Sequence, residues 1–384
     1  MIIEIKGVQF VNKGAELMLC AIHQKIMELW PDAEIALAPN VNSSYMDRAK
    51  YGAWQKLSLR KYPFDFNRLT YVLPPFIRKA LKKWGIITEA DIDIIFDASG
   101  FAYGDQWNTV MLEHALAEAS RMHKHNKKYV FLPQAFGPFT QAKNQQLIKS
   151  SMNKASLVCS REETSYAHLT RLTGELPNIS VYPDFTNALV GAIPEYYDRE
   201  NFQVCLIPNN NMVNKRNPNK QWASSYINFF VLAAEHAINL GFKPYILNHE
   251  GVDDLDICRQ INNKLDMPLE VISEPDPIKV KGLIGGAKLI ICSRFHGCVS
   301  ALSQSVPCIG TSWSHKYEQL FSEYGVPEFL ISSNFQPEQM KGLMKKCLCD
   351  NQDVVDVLNE RSKHYKSKTD EMWHEVQRVI NNGN

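Results

Sequence analysis

Short apolar, β-branched runs alternate with stretches of helical period along the whole chain. In the first half the runs 2–8, 34–38, 92–98, 129–133 and 157–159 predict strands, and 15–29, 107–125, 142–153 and 162–172 predict helices. A second series predicts strands at 202–208, 244–248, 269–272, 288–292 and 307–310. Helices are expected between them at 222–240, 254–265 and 278–284, from about Gly297 and from about His315. Strand–helix alternation of this kind is the pattern of a doubly wound α/β protein. The polar stretch 191–201 reads as a linker, and 350–384 as one long polar helix. The expected organisation is a Rossmann-like domain over 1–190, the linker, a second Rossmann-like domain over 202–349, and a terminal helix packing back on the first. In such folds ligands lie in the crevice at the carboxyl ends of the strands.

Length and charge narrow the classes. The chain's 384 residues suit two or three domains, and 42 Lys and Arg against 41 Asp and Glu leave a formal charge of +1. Binding to nucleic acid through its phosphates needs a cationic surplus that this balance does not offer. The first residues carry no basic segment followed by a long apolar one, so no secretory signal is read there, and no run is long enough to span a bilayer. Nine scattered cysteines suit reduced thiols and a cytoplasmic setting, and Cys347-Leu348-Cys349 has no second pair with which to hold a metal. Neither a metal nor a cofactor is required by any motif. The segment 76–84, basic and amphipathic after Pro74-Pro75, reads either as a surface helix or as an interfacial contact with anionic lipid, such as the inner face of the plasma membrane.

Chemistry gathers after the strands. Asn12-Lys13-Gly14-Ala15-Glu16 opens a helix, where exposed amides favour an anionic or hydroxyl-rich ligand. Asp97-Ala98-Ser99-Gly100-Phe101-Ala102-Tyr103-Gly104-Asp105-Gln106-Trp107 mixes acids, glycines and aromatic rings, as a sugar site does, although core packing of Phe101 and Trp107 also explains it. Gln134 stands in the proline-framed loop after the next strand. In the second half, Ser293-Arg294-Phe295-His296-Gly297 places a guanidinium and an imidazole at a helix start. Arg grips phosphate or carboxylate bidentately, and His moves protons near neutral pH. His249, Lys215, Arg216, His315 and Lys316 stand at neighbouring strand ends.

These loops resemble the polysaccharide pyruvyl transferase family. The similarity rests on Asn12–Glu16, Asp97–Phe101, Pro133–Pro138, Ser160-Arg161-Glu162-Glu163, Pro183-Asp184-Phe185 and, above all, Ser293–Gly297. The resemblance implies two Rossmann-like domains in a GT-B-like arrangement facing a central cleft. It also implies phosphoenolpyruvate as donor and a glycan or lipid-linked oligosaccharide as acceptor, with a pyruvate ketal on a bacterial surface polysaccharide as product. By position Arg294 and His296 are then the donor-binding and catalytic pair, with Gly297, His315, Lys316, His249, Lys215 and Arg216 as further donor contacts. Glu16 and Asp105 are expected to accept an acceptor proton, and Asn12, Lys13, Gly14, Ser99, Gly100, Phe101, Tyr103, Trp107 and Gln134 to line the acceptor side. The run Asp97-Ala98-Ser99-Gly100 stands where many members carry several glycines. Two other readings remain: a GT-B-type glycosyltransferase using a nucleotide sugar (or an epimerase of such sugars), and a non-catalytic glycan-binding component of a polysaccharide assembly system.

Overall fold

The structure, a computed structural model, describes residues 1–61, 64–214, 217, 219–311 and 316–382. The chain divides into two compact units. One comprises Met1–Phe10, Met18–Phe185 and Lys368–Asn384; the other comprises Val11–Leu17 and Thr186–Ser367.

The first unit is built on an eight-stranded sheet ordered Ile179–Val181, Leu157–Ser160, Lys128–Gln134, Ile94–Asp97, Ile2–Lys6, Glu34–Leu37, Trp54–Lys56 and Ile86–Ile87. Every pairing in it is parallel. Parallel strands lie covered on both faces, which is why Ile94, Ile95 and Phe96 are all buried. Chain order reverses between Ile2–Lys6 and Ile94–Asp97, so the crossover point of this sheet lies at Asp97. Beneath it runs a buried ionic network. Lys56 Nζ donates to Glu4 and to Glu118 Oε1 (2.8 Å), while Lys6 Nζ (2.8 Å) and Arg60 Nη2 (2.9 Å) also reach Glu118. The surrounding cations hold the Glu118 carboxyl well below its usual range despite the opposing effect of burial.

The second unit carries a six-stranded parallel sheet ordered Val271–Ile272, Pro244–Leu247, Val204–Ile207, Leu289–Cys292, Cys308–Thr311 and Leu330–Ile331. Helix Lys220–Asn239 turns Trp222, Tyr226, Phe229 and Phe230 into its core. Here the order reverses between Val204–Ile207 and Leu289–Cys292.

The long strands and helices fall where the hydrophobic pattern puts them, within a few residues. Four short strands do not: Trp54–Lys56, Ile86–Ile87, Ile179–Val181 and Leu330–Ile331 have two or three residues each, too few to show a period. The expected terminal helix over 350–384 is observed as Gln352–Asn381, following a separate helix Pro337–Cys349. Its Trp373 meets Phe96 and Phe185 edge-on in the first unit, at centroid distances of 6.1 and 6.3 Å. Among the described residues no helix is long and apolar enough to cross a membrane.

Candidate active site

In the second unit the crossover point is occupied by Arg294. It follows strand Leu289–Cys292 and is the N-cap of helix Phe295–Leu302. The turn is tight because the Cys292 thiol accepts from Arg294 N (3.3 Å) and donates to Arg294 O (3.2 Å). Gly297 is required beneath it, since a Cβ there would stand 2.6 Å from Cys292 Sγ. The strand end is pinned from both sides. Ser293 O accepts from Asn209 Nδ2 (2.8 Å) and the Tyr317 hydroxyl (3.0 Å), and Ser293 Oγ pairs with Thr311 Oγ1 (2.6 Å).

The Arg294 guanidinium is buried and held as a fork. Nε donates to Asp254 Oδ2 at 2.8 Å, Nη2 to Asp254 Oδ1, and Nη1 to Glu250 Oε2. Asn210 N donates to the same Asp254 carboxyl at 2.9 Å, so three N–H donors converge on it. Burial works against both charges, pushing Asp254 up to about 8 and Arg294 down to about 10. The bidentate contact opposes both shifts, and a carboxyl facing three donors is suited to its ionised form. Asp254 is fully buried, whereas the Glu250 side chain keeps 27% of its exposure. A cavity of about 510 Å³ opens on this pair, lined among others by Asn210, Asn211, Asn214 and Asp253.

Further predicted groups stand in the same unit. His249 is buried, its Nδ1 has no hydrogen-bond partner among the described residues, and its imidazole is held well below its ordinary pKa. Burial is the larger cause, followed by the positive charges of Arg294, His296 and Lys13. His296 packs on the start of helix Lys13–Leu29 so closely that a Cβ on Gly14 would stand 2.4 Å from its Nδ1. Asn12 Oδ1 caps that helix by accepting from the amides of Gly14 (2.9 Å) and Ala15 (3.2 Å). Lys13 Nζ is shared between Glu16 (2.6 Å) and Pro275 O (2.7 Å). Lys316 lies 4.8 Å over the Phe295 ring. Lys215, Arg216 and His315 lie outside the described residues.

The first unit presents its own cluster at its crossover point. Asp97 is buried and accepts from Ser99 Oγ (2.6 Å), Ser99 N (3.1 Å), Tyr129 OH (2.6 Å) and Tyr103 OH (2.7 Å). Tyr103 is therefore a buried ring whose hydroxyl is pushed well above its usual pKa by burial and by Asp97. Gly100 takes a positive φ of 69°, which lets the chain turn so that Ala135 N donates to its carbonyl (2.9 Å). Gln134 is buried; its Nε2 donates to Asp97 O at 3.3 Å, and its Oε1 has no partner among the described residues. Phe101 and Trp107 meet edge to face with centroids 6.2 Å apart. Asp105 clamps the following loop: Thr140 N and Oγ1, Gln141 N and Asn144 Nδ2 all donate to it. Burial opposes its charge, but these bonds, led by those of Thr140, hold its carboxyl below the usual range. To accept a proton it would have to give some of them up. Arg161, Glu162 and Asp184 also converge, with Arg161 Nη1 3.6 Å from Asp184 Oδ2.

Sequence reasoning passed over Asp254 and gave Glu250 no role. The signal was present: Glu250, Asp253 and Asp254 crowd the start of helix Gly251–Asn262, directly after a strand.

Two parallel α/β sheets with polar loops at their crossover points define a GT-B-like fold, and comparison with known proteins agrees. A Listeria monocytogenes protein assigned as a UDP-N-acetylglucosamine 2-epimerase superposes with a TM-score of 0.62 at 13% identity, over 99% of this chain and 96% of that one. Staphylococcus aureus MnaA, solved with UDP, gives 0.58 at 11% identity (99% and 96%). The Neisseria meningitidis UDP-GlcNAc 2-epimerase bound to UDP-GlcNAc gives 0.58 at 9% (98% and 99%). At these identities the likeness is one of fold. The family follows from sequence: the chain belongs to the polysaccharide pyruvyl transferase family, which it matches over residues 12–315. No curated protein sequence matches it.

Proposed function

We propose that the protein transfers a pyruvyl group from phosphoenolpyruvate to two hydroxyls of a glycan, forming a pyruvate ketal for a bacterial surface polysaccharide. The observation that carries this reading is the buried Arg294 fork at the crossover point, open to a cavity and accompanied by His249 and His296. Such a site suits a small donor with two anionic groups. Asp254 fixes the guanidinium plane through Nε and Nη2, so Nη1 is the position a donor phosphate or carboxylate takes by displacing the part-exposed Glu250. His249, kept neutral by burial and by its cationic neighbours, accepts or donates a hydrogen bond without adding charge.

In the reaction His296, as general acid, gives a proton to the donor's methylene carbon. The carbon bearing the phosphate then takes oxocarbenium character, and one acceptor hydroxyl adds to it while losing its proton. The bond from that carbon to the phosphate oxygen breaks, phosphate leaves with the electron pair, and the second hydroxyl closes the ketal, losing its own proton. Glu16, next to Lys13, is the carboxylate assigned to receive an acceptor proton.

Calorimetric titration with phosphoenolpyruvate, alongside a panel of nucleotide sugars, tests the reading. Saturable phosphoenolpyruvate binding, lost in Arg294→Ala and weakened in Arg294→Lys, is the expected result; the lysine variant keeps the buried charge while removing the fork. Binding of a nucleotide sugar instead would replace pyruvyl transfer with glycosyl transfer.

A further inference from the structure

Helix Pro75–Lys83 in the first unit has no buried residue. At 100° per residue, Phe76, Lys79, Ala80, Lys83 and the C-cap Trp84 share a sector of about 140°. All five are exposed, Phe76 by 72% and Trp84 by 83%, and Val72 just before the helix by 77%. The helix carries Arg78, Lys79, Lys82 and Lys83 and no acid. Arg78 is engaged by Asp91 (2.8 Å) and Lys82 by Glu34 (3.5 Å) and the Trp54 ring (4.8 Å). Lys79 and Lys83, on the exposed face, have no ion-pair partner among the described residues.

We infer that this face is a docking surface for an anionic lipid bilayer. Aromatic side chains at the two ends of a short helix, with lysines between them, are what an interfacial helix presents: rings enter the acyl boundary and ammonium groups stay among the headgroups. A protein partner fits less well, because lysine is depleted from protein–protein interface cores. A second copy fits worst, since an isologous contact would set these lysines against themselves. One helix of this size gives reversible attachment, so the protein exchanges between the surface and solution. The inference is independent of the donor chemistry.

Flotation of the full-length protein with vesicles of equimolar phosphatidylglycerol and phosphatidylcholine tests it, with phosphatidylcholine vesicles as comparison. The protein is expected to float with the anionic vesicles at low ionic strength and to be released by salt. Lys79→Gln with Lys83→Gln lowers partitioning by roughly thirtyfold, about fivefold for each basic group at the surface. Phe76→Ala with Trp84→Ala lowers it by roughly tenfold or more. Both double variants alter exposed side chains and melt as the wild type does, and vesicle binding blue-shifts a tryptophan emission that Trp84→Phe lacks. Absence of flotation, equal flotation on neutral vesicles, or flotation untouched by the variants would each overturn the proposal. So would a change in sedimenting mass caused by the variants, which would make the face a self-contact.

Discussion

Replacing Asp254 by Asn keeps the shape of the side chain and removes the counter-ion of Arg294. In the wild type the carboxyl takes two guanidinium donors and the Asn210 amide. An asparagine offers one acceptor oxygen, and its own NH₂ must face a donor, so one edge of the buried guanidinium loses its partner. Breaking a buried ion pair from one side costs about 3–5 kcal/mol, and Glu250 still covers Nη1, which sets the expectation at about 3 kcal/mol. For a unit of this size that corresponds to a fall in Tm of about 6–12 °C. The assay is a double-mutant cycle read by thermal and urea unfolding, with Asp254→Leu, Arg294→Met and the double variant. Each single change strands a charge or a polar group; the double removes both and should lie within about 1 kcal/mol of the wild type. The coupling should therefore be about 2 kcal/mol or more. Asp254→Asn within about 0.5 kcal/mol of the wild type, or additive effects in the cycle, would refute the idea that Asp254 holds the fork in place.

Three further outcomes follow from the same geometry. His249 has a folded pKa well below the value near 6.5 of an unfolded chain, so below that pH the unfolded state binds the extra proton. Stability should fall as pH drops below about 6.5, by up to about 1.4 kcal/mol per pH unit, and His249→Leu should flatten that slope in urea unfolding between neutral and mildly acidic pH. Gly14→Ala drives a methyl into the His296 ring and should cost about 1–3 kcal/mol in unfolding experiments while weakening phosphoenolpyruvate binding; an unchanged affinity would separate the helix start from the donor site. Glu250→Gln removes the internal anion on Nη1 and should tighten phosphoenolpyruvate binding by about tenfold in calorimetry, one charge-assisted contact no longer having to be displaced.

Much of this was readable in the chain because parallel strands buried on both faces are continuous apolar runs. Ile94-Ile95-Phe96 and Leu289-Ile290-Ile291-Cys292 announce themselves, and the polar residues that follow them mark the crossover points. Four of the shortest strands were not readable, since two or three residues such as Ile86–Ile87 or Leu330–Ile331 become strands only when a neighbour supplies the hydrogen bonds. Arg294, His249 and His296 were legible as chemistry at strand ends, and the structure gathers them with Lys13 in one unit. What the sequence could not convey is which groups are paired. Asp254 lies far from Arg294 along the chain and meets it because the helix that carries it follows Pro244–Leu247, the strand on the other side of Val204–Ile207 from Leu289–Cys292. Tyr103 was expected to support a sugar, and the structure shows its ring buried with its hydroxyl on Asp97, a difference of side-chain direction that composition does not encode.

The ionic network under the first sheet has a bearing on how such a sequence changes with descent. Glu4 and Lys6, Lys56 and Arg60, and Glu118 come from three separated stretches, yet each neutralises another inside the fold. Losing any single member strands a charge, whereas exchanging the whole group for apolar side chains of similar volume need not. Substitution at these positions is therefore correlated: related chains should keep the entire set or abandon it together, and chains caught between the two should be rare. A set of homologous sequences would show this as linked columns scattered along the alignment, with no shared motif to explain them.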